Sequence, residues 1–297
     1  MRSDVIATEA GLQWTDFIEL SKPRITLMVV LTTLIGFLLT TTAPLDVALL
    51  IHALVGTAMV ASGASALNQV LERRTDALMQ RTAQRPIPSG RLDVSTALLF
   101  GVGISVVGMA YLALAVNLLT ATLGALTLAA YVFVYTPMKR RSSLATLVGA
   151  VPGAVPPMMG CAAATGILGL EAWSLFGILF LWQMPHFLAI AWLYRQDYER
   201  GGFPLLTSGP NAGPRTARQM ILYTAALLPV SVMPTVVGLA SWPYLASALA
   251  LGLIYLYYCI GFAKSQGPRS ARQLLLYSVV YLPVLLIFLV LDHALLM

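Results

Sequence analysis

The chain has 297 residues, of which 58% are hydrophobic and 10% charged, with a formal net charge of +6. A soluble domain carries about 25% charged residues, so much of this surface faces something other than water. Apolar runs of about 20 residues suit helices crossing a roughly 30 Å hydrocarbon core, and the alternating segments of about 10 residues that build a membrane β-barrel are missing. The basic residues sit in short loops between apolar spans, which fits topology signals and anionic lipid or phosphate groups and argues against nucleic acid as a partner.

Residues 1–23 form a segment ahead of the first apolar run. Asp4, Glu9, Asp16 and Glu19 argue against a secretory signal there. Leu12, Trp14, Phe17, Ile18 and Leu20 predict a short interfacial helix. Nine spans are expected to follow, near 24–43, 47–71, 94–116, 118–136, 143–164, 172–195, 216–239, 243–263 and 272–293. They make one all-α transmembrane domain over 24–293. Tight junctions at Pro44, Asn117 and Trp242-Pro243 divide what would otherwise be helices far longer than a bilayer needs. Cys161 and Cys259 lie in apolar spans, with no metal-ligand spacing and no disulfide framework.

All 18 basic residues fall on one side of this map. Arg2, Lys22 and Arg24 precede the first span, and the second loop holds Arg73, Arg74, Arg81, Arg85 and Arg91. Lys139, Arg140 and Arg141 lie in the fourth loop, and Arg195, Arg200, Arg215 and Arg218 in the sixth. Lys264, Arg269 and Arg272 complete the set in the eighth, while the opposite side carries only Asp46, Glu171 and Asp292. The positive-inside rule therefore places the N-terminus in the cytoplasm and the C-terminus outside. The second and sixth loops are long, at about 20 residues each, and long connections are often functional. They lie four spans apart, which hints at a parallel internal repeat.

The second span ends in Asn68, Glu72 and Asp76. A spacing of four turns each about 40° from the last with about 6 Å of rise, so all three share one face. Oxygen ligands on one face suit a hard cation such as Mg²⁺, which shares its ligand set with substrate phosphates. Arg81, Arg85 and Arg91 follow, with Lys139 and Arg140 on another loop, and guanidinium forks match phosphate oxygens. Together they point to Mg²⁺ and diphosphate bound at the cytoplasmic membrane surface. Asp197, Tyr198, Glu199 and Arg200 form a second polar cluster, which on spacing alone reads as a solvated helix end. Trp182-Gln183-Met184-Pro185-His186-Phe187 lies about ten residues before the cytoplasmic end of the sixth span. An ionisable residue at that depth is a functional candidate; the alternative is a neutral histidine hydrogen-bonded between helices. His52 and His293 lie near the outer surface and look incidental.

Six stretches carry a family resemblance: SKPRIT at 21–26, NQVLERRTDALMQRTAQRPIPSGRL at 68–92, YTPMKRRS at 135–142, VGAVPGAVPPMMG at 148–160, LFLWQMPHFLAIAW within 179–192 and DYERGGFPLL at 197–206. In order and spacing they resemble the protohaem IX farnesyltransferases, or haem O synthases, a branch of the UbiA-type membrane prenyltransferases. The final three spans match only in hydropathy. The resemblance implies a UbiA-like helical bundle with a cytoplasmic-side active site, in a bacterial inner membrane. It makes Asn68, Glu72 and Asp76 the first acidic motif, and adds Asp197 as a catalytic and metal-binding residue. Glu72 and Gln69 stand where many superfamily members have aspartate, and Gly201 stands where the second motif usually has one. Lys22, Arg24, Arg81, Arg85, Lys139, Arg140 and Tyr198 become candidate diphosphate ligands, and Trp182, Gln183 and His186 candidate haem contacts. The implied substrates are farnesyl diphosphate and haem B, the cofactor is Mg²⁺, and membrane lipids and a haem A synthase are the implied partners.

Overall fold

The computed structural model describes residues 13–42 and 44–296, so Leu12 of the expected interfacial helix and the basic Arg2 lie outside the described residues. A short helix α1 (Trp14–Leu20) precedes α2 (Pro23–Thr40), α3 (Val47–Asp76), α4 (Val94–Ala115), α5 (Leu118–Met138) and α6 (Ala145–Thr165). Then come α7 (Leu170–Leu193), the short α8 (Arg195–Arg200), α9 (Ala212–Val236), α10 (Trp242–Ser265) and α11 (Pro268–Leu296). Among the described residues nine helices are long and apolar enough to cross a bilayer, and no strand occurs.

The helices turn an apolar surface outward and keep polar groups inside. Leu99, Leu114, Phe133 and Tyr257 are more than two-thirds exposed, whereas Thr33, Asn68, Gln69, Gln183, Thr224 and Ser278 are buried. The apolar exterior sets it apart from a water-soluble bundle, and burying the polar groups suits a lipid solvent that cannot satisfy them. The junctions at Pro44 and Asn117 are short turns closed by a side-chain cap. Asp46 accepts from the Leu49 amide at 2.9 Å, and Asn117 accepts from the Thr120 amide at 2.8 Å while its Nδ2 donates to the Ala162 carbonyl.

Three helices depart from the uniform spans expected. In α5 the residues Ala130–Tyr135 form a π-helical turn, and the Thr136 hydroxyl donates to the Tyr131 carbonyl five residues back. Helix α6 is interrupted at Val155, because Pro156 has no amide to continue the ladder. Its second half lies directly on α2: a Cβ at Gly36 would fall 2.0 Å from the Pro157 carbonyl oxygen, and one at Gly160 2.0 Å from that of Thr33. Helix α7 stops at Leu193, and Tyr194 breaks it from α8, so Asp197 does not continue the helix that carries His186.

Helix α1 carries Trp14 and Ile18 on an exposed face and buries Asp16 and Leu20. Arg91 pairs with Asp16 and, at 2.7 Å, with Glu19, and Gln69 Nε2 donates to the Leu20 carbonyl at 2.8 Å. Removing Arg91 leaves a buried carboxylate without its cation, which costs about 1–3 kcal/mol. Arg91→Leu is therefore expected to speed amide hydrogen exchange in α1 by about tenfold or more, with α3 unchanged. Exchange mass spectrometry checks this; equal rates in both proteins would show that the clamp does not hold α1.

Candidate active site

The cluster is built on the last turns of α3. The helix runs unbroken to Asp76, so Asn68, Glu72 and Asp76 do share one face, and all three are buried. Each is engaged by a different element. Lys22, between α1 and α2, sits in left-handed backbone at φ 47°, and its Nζ donates to Asn68 Oδ1 at 2.9 Å. Asn68 Nδ2 donates in turn to the Thr136 hydroxyl at 3.1 Å, just beyond the π turn. Lys139 Nζ meets Glu72 Oε1 at 2.7 Å and lies 4.6 Å from the centre of the Tyr135 ring. Arg85 Nη1 meets Asp76 Oδ2 at 2.7 Å.

The two lysines respond differently. Burial, the Arg85 charge and the Lys139 charge push Lys22 down to about 7, against the pull of Glu72 and Asp76. Burial also works against the Lys139 ammonium, but Tyr135 and Glu72 outweigh it and hold its pKa above the usual lysine value.

The two long loops meet beside this cluster. Asp197 accepts from the backbone amides of Gln80 and Arg81 at 2.9 and 3.2 Å, and lies 3.4 Å from Arg200. Its carboxylate thus ties the loop that carries Gln80 and Arg81 to α8. Arg81 donates to the Tyr198 hydroxyl at 3.2 Å and stacks over the Tyr194 and Tyr198 rings. Arg140 donates to the Thr75 hydroxyl at 3.2 Å. Arg24 is exposed, with no hydrogen-bond partner among the described residues.

Among the described residues no three His, Cys, Asp or Glu side chains gather closely enough to hold a metal alone. The cluster nevertheless fits a divalent cation shared with phosphate. Asp76 Oδ1 is buried and has no partner, beside Glu72 and the Asn68 amide oxygen on the same face. Magnesium needs only one or two carboxylates when substrate oxygens and water supply the rest.

A cavity of about 480 Å³ adjoins the cluster. Ala61, Ala64 and Ser65 of α3 line it one or two turns from Asn68, and Tyr131 and Tyr135 line it from α5. Gln183, His186 and Phe187 line it from α7. Gln183 Nε2 donates to the Ala150 carbonyl at 2.8 Å. Trp182 does not line the cavity; its indole stacks on the His186 ring at 5.1 Å between centroids. His52 and His293 are held by Tyr111 and the Leu239 carbonyl, away from this space.

Thr136, Tyr131 and Tyr135 were not legible as site residues from spacing. Tyr135 and Thr136 fall in the YTPMKRRS stretch beside Lys139 and Tyr131 just outside it, but the π turn that aims them leaves no periodic mark.

The UbiA prenyltransferase family model matches residues 29–290. A protoheme IX farnesyltransferase from Solibacter usitatus is 48% identical over 287 residues, covering 94% of this chain and 98% of the relative. One of the same name from Salinibacter ruber is 46% identical over 277 residues, covering 93% and 98%. A UbiA homologue from Archaeoglobus fulgidus, solved with DMAPP and Mg²⁺, shares the fold with a TM-score of 0.67 at 14% identity, over 94% of this chain and 99% of that one. The chain belongs to the UbiA prenyltransferase family.

Proposed function

We propose that this protein transfers the farnesyl group of farnesyl diphosphate to a vinyl group of haem B, with addition of water, giving haem O and diphosphate. The observation that carries the reading is a phosphate-matched polar cluster adjoining an apolar cavity that His186 lines, with Tyr135 lining the cavity and meeting Lys139 of the cluster. The name shared by the two bacterial relatives supports the same substrates.

Lys22, Arg85, Lys139 and Arg81 bind the diphosphate oxygens, and Arg140 guards the rim. Asn68, Glu72 and Asp76 are the residues that would hold the divalent cation, which would supply neutralising charge to the departing diphosphate. The C1–O bond of the prenyl donor breaks with its electron pair leaving on the diphosphate. The vinyl π-electrons form the new C–C bond to C1, water captures the resulting cation, and a proton is released. Tyr131 and Tyr135 present aromatic faces to the cationic carbon, an attraction of about 0.5–2 kcal/mol. The apolar walls keep water away from C1 until the vinyl group is in place. Asp197 serves by fixing the loop that carries Arg81. His186 and Gln183 contact the haem, with Trp182 behind them.

Pigment analysis of membranes with and without the protein tests the reading: farnesylated haem should appear only when the protein is present. A transfer to an aromatic or quinone precursor with no haem product would overturn it.

The site faces the cytoplasm in this reading, since the basic loops cluster at its end of the bundle. A reporter within 139–142 is expected to register as cytoplasmic and one fused after Met297 as external. Both on one side would reject this orientation.

A further inference from the structure

His186 is held by one residue on another helix. Its Nδ1 lies 2.8 Å from the Ser278 hydroxyl of α11, and the Trp182 indole N–H donates to the Ser278 carbonyl at 2.8 Å. The Ser278 hydroxyl also lies 2.6 Å from the Leu275 carbonyl oxygen. Two oxygens that close attract only with a hydrogen between them, and a carbonyl has none to give. Ser278 has one hydroxyl hydrogen, so it goes to Leu275. The contact with His186 must then run the other way, with Nδ1–H donating to Ser278 Oγ. A neutral imidazole protonated at Nδ1 carries its lone pair on Nε2. Nε2 has no hydrogen-bond partner among the described residues, and His186 borders the cavity.

We propose that Ser278 is a positioning residue that fixes His186 in the Nδ1–H tautomer and presents the Nε2 lone pair to the cavity as a ligand for the iron of a metalloporphyrin. The assignment rests on haem being the acceptor substrate. Ser278 is fully buried, and the stack of Trp182 on the imidazole, at 23° between planes, restricts ring rotation. Tyr255 adds a third restraint, its hydroxyl donating to the Trp182 carbonyl at 3.2 Å. A ligating histidine generally donates its other ring N–H to a fixed acceptor, and loss of that acceptor lowers metal affinity by about 10- to 100-fold. Ser278 is such an acceptor, contributed by a span in which the sequence shows only hydropathy.

The test uses the full chain in lipid nanodiscs, titrated with haem, with metal-free protoporphyrin IX and with Mg²⁺ plus farnesyl diphosphate. Ser278→Ala should weaken haem binding by about 10- to 100-fold, leave metal-free porphyrin and farnesyl diphosphate binding unchanged, and shift the haem absorption spectrum. Ser278→Thr, which keeps the hydroxyl, should restore haem affinity. Nitrogen-15 NMR of labelled histidine should show the His186 signal, identified by its loss in His186→Gln, as Nδ1-protonated in wild type and altered in Ser278→Ala. Unchanged haem affinity in Ser278→Ala, or equal loss of haem and metal-free porphyrin, overturns the assignment. An Nε2-protonated His186 in the wild type overturns it independently of any porphyrin. Failure of the wild type to bind haem overturns the underlying reading instead, while the NMR result still decides the tautomer.

Discussion

Asp76→Asn is expected to lower farnesyl transfer by about 10²- to 10³-fold, the usual loss when one preorganised electrostatic contact to the reacting charge is removed. The substitution keeps the shape of the side chain and an oxygen that can still accept from Arg85. It removes the charge, and with it the buried Oδ1 acceptor that has no protein partner. The bundle should survive, because Asp76 lies at the end of α3 rather than at a helix crossing. Activity in proteoliposomes, normalised to folded protein by size-exclusion elution, measures the effect. Wild-type turnover in this variant would remove Asp76 from the site.

His186→Ala is expected to separate the two substrates. Haem affinity and haem farnesylation should fall by at least about a hundredfold, the upper end of what losing a supporting acceptor costs. Binding of farnesyl diphosphate with Mg²⁺ should persist, since His186 makes no hydrogen bond with Lys22, Glu72, Asp76 or Lys139. A paired titration decides the matter. Unchanged haem affinity reduces His186 to a packing residue, and equal loss of both ligands indicates a damaged fold.

The spans were legible because length and hydropathy are local properties, and the loop charges fixed their number by alternating cleanly. The shared face of Asn68, Glu72 and Asp76 was legible for the same reason, since it lies within one helix. Which cation meets which carboxylate was not, because the pairing of Lys139 with Glu72 and of Arg85 with Asp76 depends on how loops fold over the helix end. Asp197 shows the limit most clearly. An acidic residue after a long span reads the same whether it faces a metal or accepts two loop amides, and only the break at Tyr194 sends it to Gln80 and Arg81. Ser278 left no trace, because a buried serine in an apolar helix differs from its neighbours only by the partner it meets.

Lys139 and Arg85 already neutralise Glu72 and Asp76, so the site resists a divalent cation that comes alone. A diphosphate offers both side chains replacement partners and frees the carboxylates. Cation and prenyl donor are therefore linked thermodynamically: each raises the affinity for the other by the same factor, about 5- to 150-fold for couplings of ordinary size. The ion pairs compensate the carboxylates within the protein, and the catalytic charge pattern assembles when the prenyl donor arrives.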